Sequence, residues 1–269
     1  MRLIINEDRL VPLAIARVTR ELAQGVDALA KTLASGGSVL LLGAGTSGRL
    51  AVFEAAECPP TFNATPRQIR AVIAGGKRSV FHAKEGAEDE PSLGRKAAES
   101  VRYGDCVVGV AASGVTPFVH AALAEAKGRG AATILVTSNG RPQGRHADIV
   151  IAPLVGPEVV TGSTRMKAGT AAKLVLNALT TGAMIKIGKV YDHWMVDLKP
   201  TSRKLRLRGE RIVADLGRVP PARARALLRA ADGSVKTAVV MARKRLSAAP
   251  ARECLARSGG ALRRALGEF

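Results

Sequence analysis

The sequence predicts an α/β protein, a parallel sheet covered by helices on both faces, followed by a smaller helical region. Five short apolar runs recur with turn residues after each, segments of helical periodicity lie between them, and after Pro200 the strand-like runs cease. Alternation of this kind marks a parallel sheet, whose crossovers place helices on its two faces. A ligand of such a sheet sits at the carboxyl ends of the strands.

Taken in order, residues 11–33 read as one long helix, with Ile15, Val18, Leu22, Val26 and Leu29 spaced by three and four. Strands are expected at 38–42, 69–73, 106–111, 132–136 and 148–152, and helices at 49–58 and 117–127. Residues 161–187 read as a second long helix, mostly apolar and so mostly buried. Residues 1–200 form the expected α/β domain. Residues 201–269 form a small basic helical domain, punctuated by Pro220-Pro221, Gly233, Pro250 and Gly259-Gly260.

Composition narrows the function. A chain of 269 residues, 47% hydrophobic, can bury a globular core and is not disordered throughout. Apolar stretches such as 38–42 and 107–112 fall far short of the roughly 20 residues of a membrane span. Glu7 and Asp8 follow Met1 without a basic segment leading into a long apolar run, so no export signal is expected. Cys58, Cys106 and Cys254 lie far apart and form no CxxC pair, as expected of reduced, buried thiols in the cytoplasm. His82, His120, His146 and His193 lack ligand spacing, so no metal is expected. The net charge of +19 is concentrated late: residues 1–200 hold 24 basic and 17 acidic side chains, residues 201–269 hold 17 and 5. With aromatics at 3%, stacking platforms for single-stranded nucleic acid are missing, and the basic tail reads as a solvated helical face.

Chemistry is concentrated in the loops. Gly43-Ala-Gly-Thr-Ser-Gly48 matches the G-x-G-x-x-G pattern after the first strand, but the second strand runs out as Ile73-Ala-Gly-Gly76, without the acidic residue a dinucleotide ribose needs. The loop instead offers Thr46 and Ser47, beside Gly48, at a helix N-terminus. Free N–H groups and the helix dipole favour an anion there, and a hydroxyl that merely caps the helix is the plain alternative. The third strand repeats the design with Ser113, Gly114 and Thr116. A third cluster, Gly162-Ser-Thr-Arg-Met-Lys-Ala-Gly169, adds Ser163, Arg165 and Lys167, suited to phosphate or carboxylate. Glu54 and Glu57 sit three apart on the helix leaving the glycine loop, which Pro59-Pro60 should end just beyond Glu57. In a final helical turn, partly buried, Glu57 would favour the protonated carboxyl that a general acid needs. Glu88, within Glu85-Gly-Ala-Glu-Asp-Glu90, could reach the same pocket from the neighbouring connection, although such a run standing alone reads as solvated acidic surface.

Taken together, Gly43-Ala-Gly-Thr-Ser-Gly-Arg-Leu50, Ala55-Ala-Glu-Cys-Pro-Pro-Thr-Phe62, Ile73-Ala-Gly-Gly76, Glu85-Gly-Ala-Glu-Asp89, Ala111-Ala-Ser-Gly114 and residues 155–170 resemble the N-acetylmuramic acid 6-phosphate etherase family. The resemblance continues through Lys173-Leu-Val-Leu-Asn177, Met195-Val-Asp197 and Lys236-Thr-Ala-Val-Val-Met241, nearly the whole chain. It implies a sugar isomerase (SIS) domain, a flavodoxin-like sandwich usually found as a homodimer, followed by a helical domain resembling a ubiquitin-associated fold. It implies no cofactor, a small sugar phosphate as substrate, and cytoplasmic recycling of peptidoglycan amino sugars. By the same resemblance Glu57 and Glu88 are the catalytic pair. Thr46, Ser47, Gly48, Ser113, Gly114 and Thr116 would hold phosphate, with Ser163, and Arg165 or Lys167 would meet the lactyl carboxylate. Three departures stand out. Family members generally carry a further segment before Ile5-Asn-Glu-Asp8, whose lack would impair the chain if that segment closes the site. Ala172 replaces the usual Gln, and Ser202 the usual Asn. A sugar-phosphate isomerase of the same fold and a non-catalytic sugar-phosphate sensor are the competing functions. Only about 35 residues precede the sheet, too few for a DNA-binding helix-turn-helix beside a long helix.

Overall fold

Five short strands, β1 (Val39–Gly43), β2 (Ile69–Ile73), β3 (Cys106–Val110), β4 (Ala132–Val136) and β5 (Ile149–Ile151), pair in parallel in the order β2-β1-β3-β4-β5. The computed structural model describes residues 1–142, 146–198, 200 and 202–268. β1 and β3 are buried along their whole length, as central parallel strands covered on both faces must be. Gly43 pairs with Ile73 of β2 and Val110 of β3, and Val110 with Val136 of β4. The loops after these strands therefore leave one edge of the sheet. The strand order reverses between β1 and β3, the switch point at which α/β sheets open a crevice.

Three helices precede the sheet: α1 (Arg2–Asp8), α2 (Val11–Ala16) and α3 (Thr19–Ala34). The single helix expected over 11–33 is thus broken. Val18 leaves the helical region at φ −113° and ψ 24°, and the Thr19 hydroxyl donates to the Ala16 carbonyl at 2.7 Å. Apolar spacing continues across so short a break, so periodicity does not reveal it. After β1 comes α4 (Gly45–Phe62), after β2 a long loop and α5 (Pro91–Ala98), after β3 α6 (Pro117–Gly128), and after β5 a loop and α7 (Lys167–Lys186). Residues 161–166, read from sequence as helical, form turns instead: Gly162 takes φ +84°, and α7 begins only where a carboxylate caps it. Leu40, Leu42, Val107, Phe118, Leu123 and Leu135 belong to the core between the sheet and its helices.

Contacts divide the chain into Met1–Ala56 with Pro66–Ala183, and Glu57–Thr65 with Met184–Phe269. The second unit starts earlier than the expected boundary after Pro200, and Thr201 lies outside the described residues. The reason is a hairpin, β6 (Val190–Tyr191) and β7 (Trp194–Met195), whose Tyr191 shares a core with Val196, Leu198 and the helices that follow. These are α8 (Arg203–Gly217), α9 (Pro221–Ala230), α10 (Val235–Lys244), α11 (Ala248–Arg257) and α12 (Leu262–Leu266). Ser202 caps α8 by accepting the Leu205 N–H at 3.2 Å. Lys236 of α10 is mostly buried and donates to the Gly260 carbonyl at 2.8 Å and to Asp197 at 3.3 Å; burial pushes its ammonium below the ordinary lysine range, and Asp197 opposes the shift. No helix among the described residues is long and apolar enough to cross a membrane. None of the three cysteines forms a disulfide; Cys58 and Cys106 are buried, whereas Cys254 is only half-buried, its thiol directed at the Ala265 carbonyl.

Candidate active site

The first turn of α4 carries Thr46, Ser47 and Gly48 directly above the end of β1. Gly48 packs against the strand so tightly that a Cβ there would lie 2.5 Å from Ile73 and 2.6 Å from the Gly43 carbonyl oxygen, so only glycine fits. Thr46 and Ser47 are half-buried, and neither hydroxyl is spent on a cap: among the described residues they bond to no protein group. Across the switch point, Gly114 turns the β3 loop at φ +71°, its carbonyl bonded to His120 at 2.8 Å. Ser113 is exposed, its carbonyl held by Asn139 and its hydroxyl 3.4 Å from the Val115 N–H. Thr116 starts α6 without using its hydroxyl as a cap. The N-terminus of α7 meets the same edge, because Thr46 reaches the first turn of α7 at Gly169. Ser163 is half-buried just before it, and Arg165 is exposed. Three hydroxyl-bearing turns thus lie at the helix N-termini on this edge.

The loop after β2 closes a cleft of about 180 Å³ against α4. Gly45, Arg49, Ser79, Lys84, Glu85 and Glu88 are among the residues that line it. Glu88 stands in a single 3₁₀ turn, Ala87–Asp89, introduced by Gly86 in the left-handed conformation, and it is exposed toward the cleft. Arg49 lies one turn into α4 with its Nε donating to the Val80 carbonyl at 2.8 Å. Arg49 and Ser79 line the cleft but are not among the sequence-derived candidates. The available signal was a guanidinium one turn beyond a glycine loop built for an anion. Ser79 had no signal at all.

Charges at the start of α7 are arranged differently. Glu158 accepts the first two N–H groups of the helix, Lys167 at 2.9 Å and Ala168 at 3.0 Å, one with each carboxylate oxygen. Lys167 itself is 1% exposed, and its ammonium bonds to Glu7 of α1 at 2.6 Å. A negative charge at this helix terminus is favourable, and here the chain supplies it.

The two α4 carboxylates also diverge. Glu54 is 4% exposed, accepting from Lys173 and from the Thr180 hydroxyl, both at 2.6 Å, which ties α4 to α7. Glu57 is exposed rather than partly buried, and it does not stand in a final turn. α4 runs through Pro59 and Pro60 to Phe62, and the Asn63 N–H still reaches the Pro59 carbonyl at 3.0 Å. Proline forbids the hydrogen bond behind it but not the one ahead, so the helix can continue past it. Glu57 is not among the residues lining the β2 cleft.

Residues 21–127 match the family described as the glucokinase regulatory protein N-terminal SIS domain, and residues 85–182 match the SIS domain. An N-acetylmuramic acid 6-phosphate etherase of Symbiobacterium thermophilum is 51% identical over 89% of this chain and 81% of its own length. The N-acetylmuramic acid 6-phosphate etherase 1 of Vibrio cholerae is 45% identical over 100% of this chain and 90% of its own. The etherase of Photorhabdus laumondii is 44% identical over 98% and 88%.

Proposed function

Because this chain belongs to the N-acetylmuramic acid 6-phosphate etherase family, we propose that it uses water to cleave the D-lactyl ether of N-acetylmuramic acid 6-phosphate, releasing N-acetylglucosamine 6-phosphate and D-lactate. The observation that carries the reading is near full-length similarity at 44–51% identity to proteins of that one name. The geometry supports it with an anion-binding sheet edge and a carboxylate, Glu88, in the adjoining cleft.

In the open-chain aldehyde form of the sugar, the proton on C2 is acidic because the aldehyde delocalises the charge left behind. Glu88 takes that proton, the electron pair forms the C2–C3 double bond, and the C3–O bond breaks. Glu57 gives a proton to the departing lactyl oxygen, which an ether requires to leave. Water then adds at C3 and loses its proton to Glu57, and Glu88 returns a proton to C2. Thr46, Ser47, Ser113, Thr116 and Ser163 bind the phosphate, with the N–H groups around Gly48 and Gly114. Arg165 lies at the same edge and attracts the dianion. The sequence reading set Lys167 beside it; its engagement by Glu7 makes it a structural cation in this proposal.

The working form is a cytoplasmic homodimer serving amino-sugar recycling. Phe53, half exposed, lies one turn before Glu57 on the same helical face. A second copy covering Phe53 also excludes water from Glu57. Incubation of the purified protein with N-acetylmuramic acid 6-phosphate and assay of D-lactate tests the function: release supports it, and none would point to an isomerase or a sensor. Replacing Glu57 with Gln should abolish release with the fold intact.

A further inference from the structure

The β2 cleft is lined by two cations, Arg49 and Lys84. Among the described residues neither Arg49 nor Lys84 makes an ion pair, although Glu85 and Glu88 line the same cleft. The Arg49 side chain is held in place, since its Nε is bonded to the Val80 carbonyl; this leaves the two terminal nitrogens, the pair that grips a carboxylate side by side. Ser79 adds a second, independent sign. It is 5% exposed, lines the cleft, and its Oγ is the one buried side-chain polar atom without a partner among the described residues. Gly75 makes room for it: a Cβ there would lie 2.4 Å from that oxygen. Buried hydroxyls are rarely left unpaired, so an unpaired one on a residue that lines a cleft marks a place for a ligand atom.

We propose that Arg49 and Lys84, with the Ser79 hydroxyl, form the subsite that receives the carboxylate of the substrate's lactyl group. The inference rests on the etherase reading and deepens it. Chemistry decides which of the substrate's two anions lies here. Glu88 shares the cleft and acts on C2; the substituent on the neighbouring carbon is the lactyl ether, whereas the phosphate is on C6, at the far end of the chain. Size agrees. A cleft of about 180 Å³ is smaller than the roughly 300–1,000 Å³ of sites that enclose a whole ligand, yet ample for a three-carbon acid. Phosphate is left to the hydroxyl turns at the switch point, and the two anions are bound by different chemistry, guanidinium and ammonium for one, hydroxyls and helix N–H groups for the other.

The test compares two ligands that differ only in the lactyl group. For Arg49→Gln, KM for N-acetylmuramic acid 6-phosphate in the D-lactate assay should rise about 10- to 100-fold, the range of one lost charge-assisted hydrogen bond pair. The inhibition constant of N-acetylglucosamine 6-phosphate should stay within about twofold. Ser79→Ala, which removes only the hydroxyl and keeps the backbone, should raise KM about 3- to 10-fold with the same split. A parallel rise in both constants, or no rise in KM in either variant, would overturn the proposal. Should the unmodified protein release no lactate, the etherase reading fails by itself. Calorimetric binding of the same two sugars to the Arg49→Gln and Ser79→Ala variants then decides the subsite, with selective loss of the lactyl sugar supporting it and equal affinities opposing it.

Discussion

At the start of α7, Lys167 is buried and bonded to Glu7, while Glu158 occupies the first two N–H groups of the helix. In the cleft after β2, Arg49 and Lys84 face a space with no ion pair among the described residues, beside the unpaired Ser79 hydroxyl. Both regions belong to the α/β unit, both bring cations to the same sheet edge, and both adjoin a helix N-terminus. One has been completed by the chain's own carboxylates; the other, in the proposal made above, receives the ligand's. The difference shows how structural cations are told from binding cations: by whether the fold has already neutralised them, a property that residue type and spacing do not carry.

That contrast is sharpest for catalysis. Glu88→Gln should lower the rate of D-lactate release by about 10²- to 10⁴-fold, the usual contribution of a general base, with the melting temperature unchanged within error. A small kinetic effect would move the site away from the cleft. For stability the two corners should exchange roles. Glu7→Gln leaves a buried ammonium unpaired and should cost about 2–3 kcal/mol, below the about 3–5 kcal/mol of a fully buried pair because Glu7 is one-third exposed. A thermal melt should register this as a fall of roughly 4–12 °C. Arg49→Gln should leave the melt almost unmoved, and equal falls in the two variants would erase the distinction. Glu158→Gln retains the hydrogen-bonding shape but weakens the charge at the α7 terminus, which should lower stability by about 0.5–2 kcal/mol in urea titration.

The opposite, amino edge of the sheet is another completed region, and it yields the smallest effect. Asp105 accepts the Ser38 and Arg102 N–H groups, and Asp148 accepts from Thr133 and pairs with Lys127. Burial, with the charges of Asp148 and then Asp105, pushes the Cys106 thiol up to about 12. The folded state therefore holds this proton more tightly than the unfolded chain. The resulting stability is fully present below about pH 9 and is lost as pH rises from there toward 12. Urea midpoints at pH 8 and pH 10.5 should drop further in the unmodified protein than in Cys106→Ala, and thiol labelling of the native protein at pH 8 should modify Cys254 before Cys106.

Much of the scaffold was legible in the sequence. The strands at Ile69–Ile73 and Ala132–Val136 match their expected limits, and the others shift by a residue or so, because a short apolar run between turn residues is a local signal. That the loops after β1 and β3 leave the same edge was legible for the same reason, given a parallel sheet. What escaped is non-local. Lys167 and Glu7 are 160 residues apart in the chain, and nothing in the spacing around either announces the pair. The passage of α4 through Pro59-Pro60 escaped because a proline penalty read locally takes no account of the packing that offsets it. Glu54 and Glu57 look alike in sequence, yet one is tied to Lys173 and Thr180 and the other is exposed.

In the proposed reaction the ether is opened on the sugar side, by loss of the C2 proton and later addition of water at C3. Carrying out the reaction in water enriched in oxygen-18 tests it directly. The heavy oxygen should appear at C3 of N-acetylglucosamine 6-phosphate, with the released D-lactate unlabelled; label in the lactate, with none in the sugar, would contradict it.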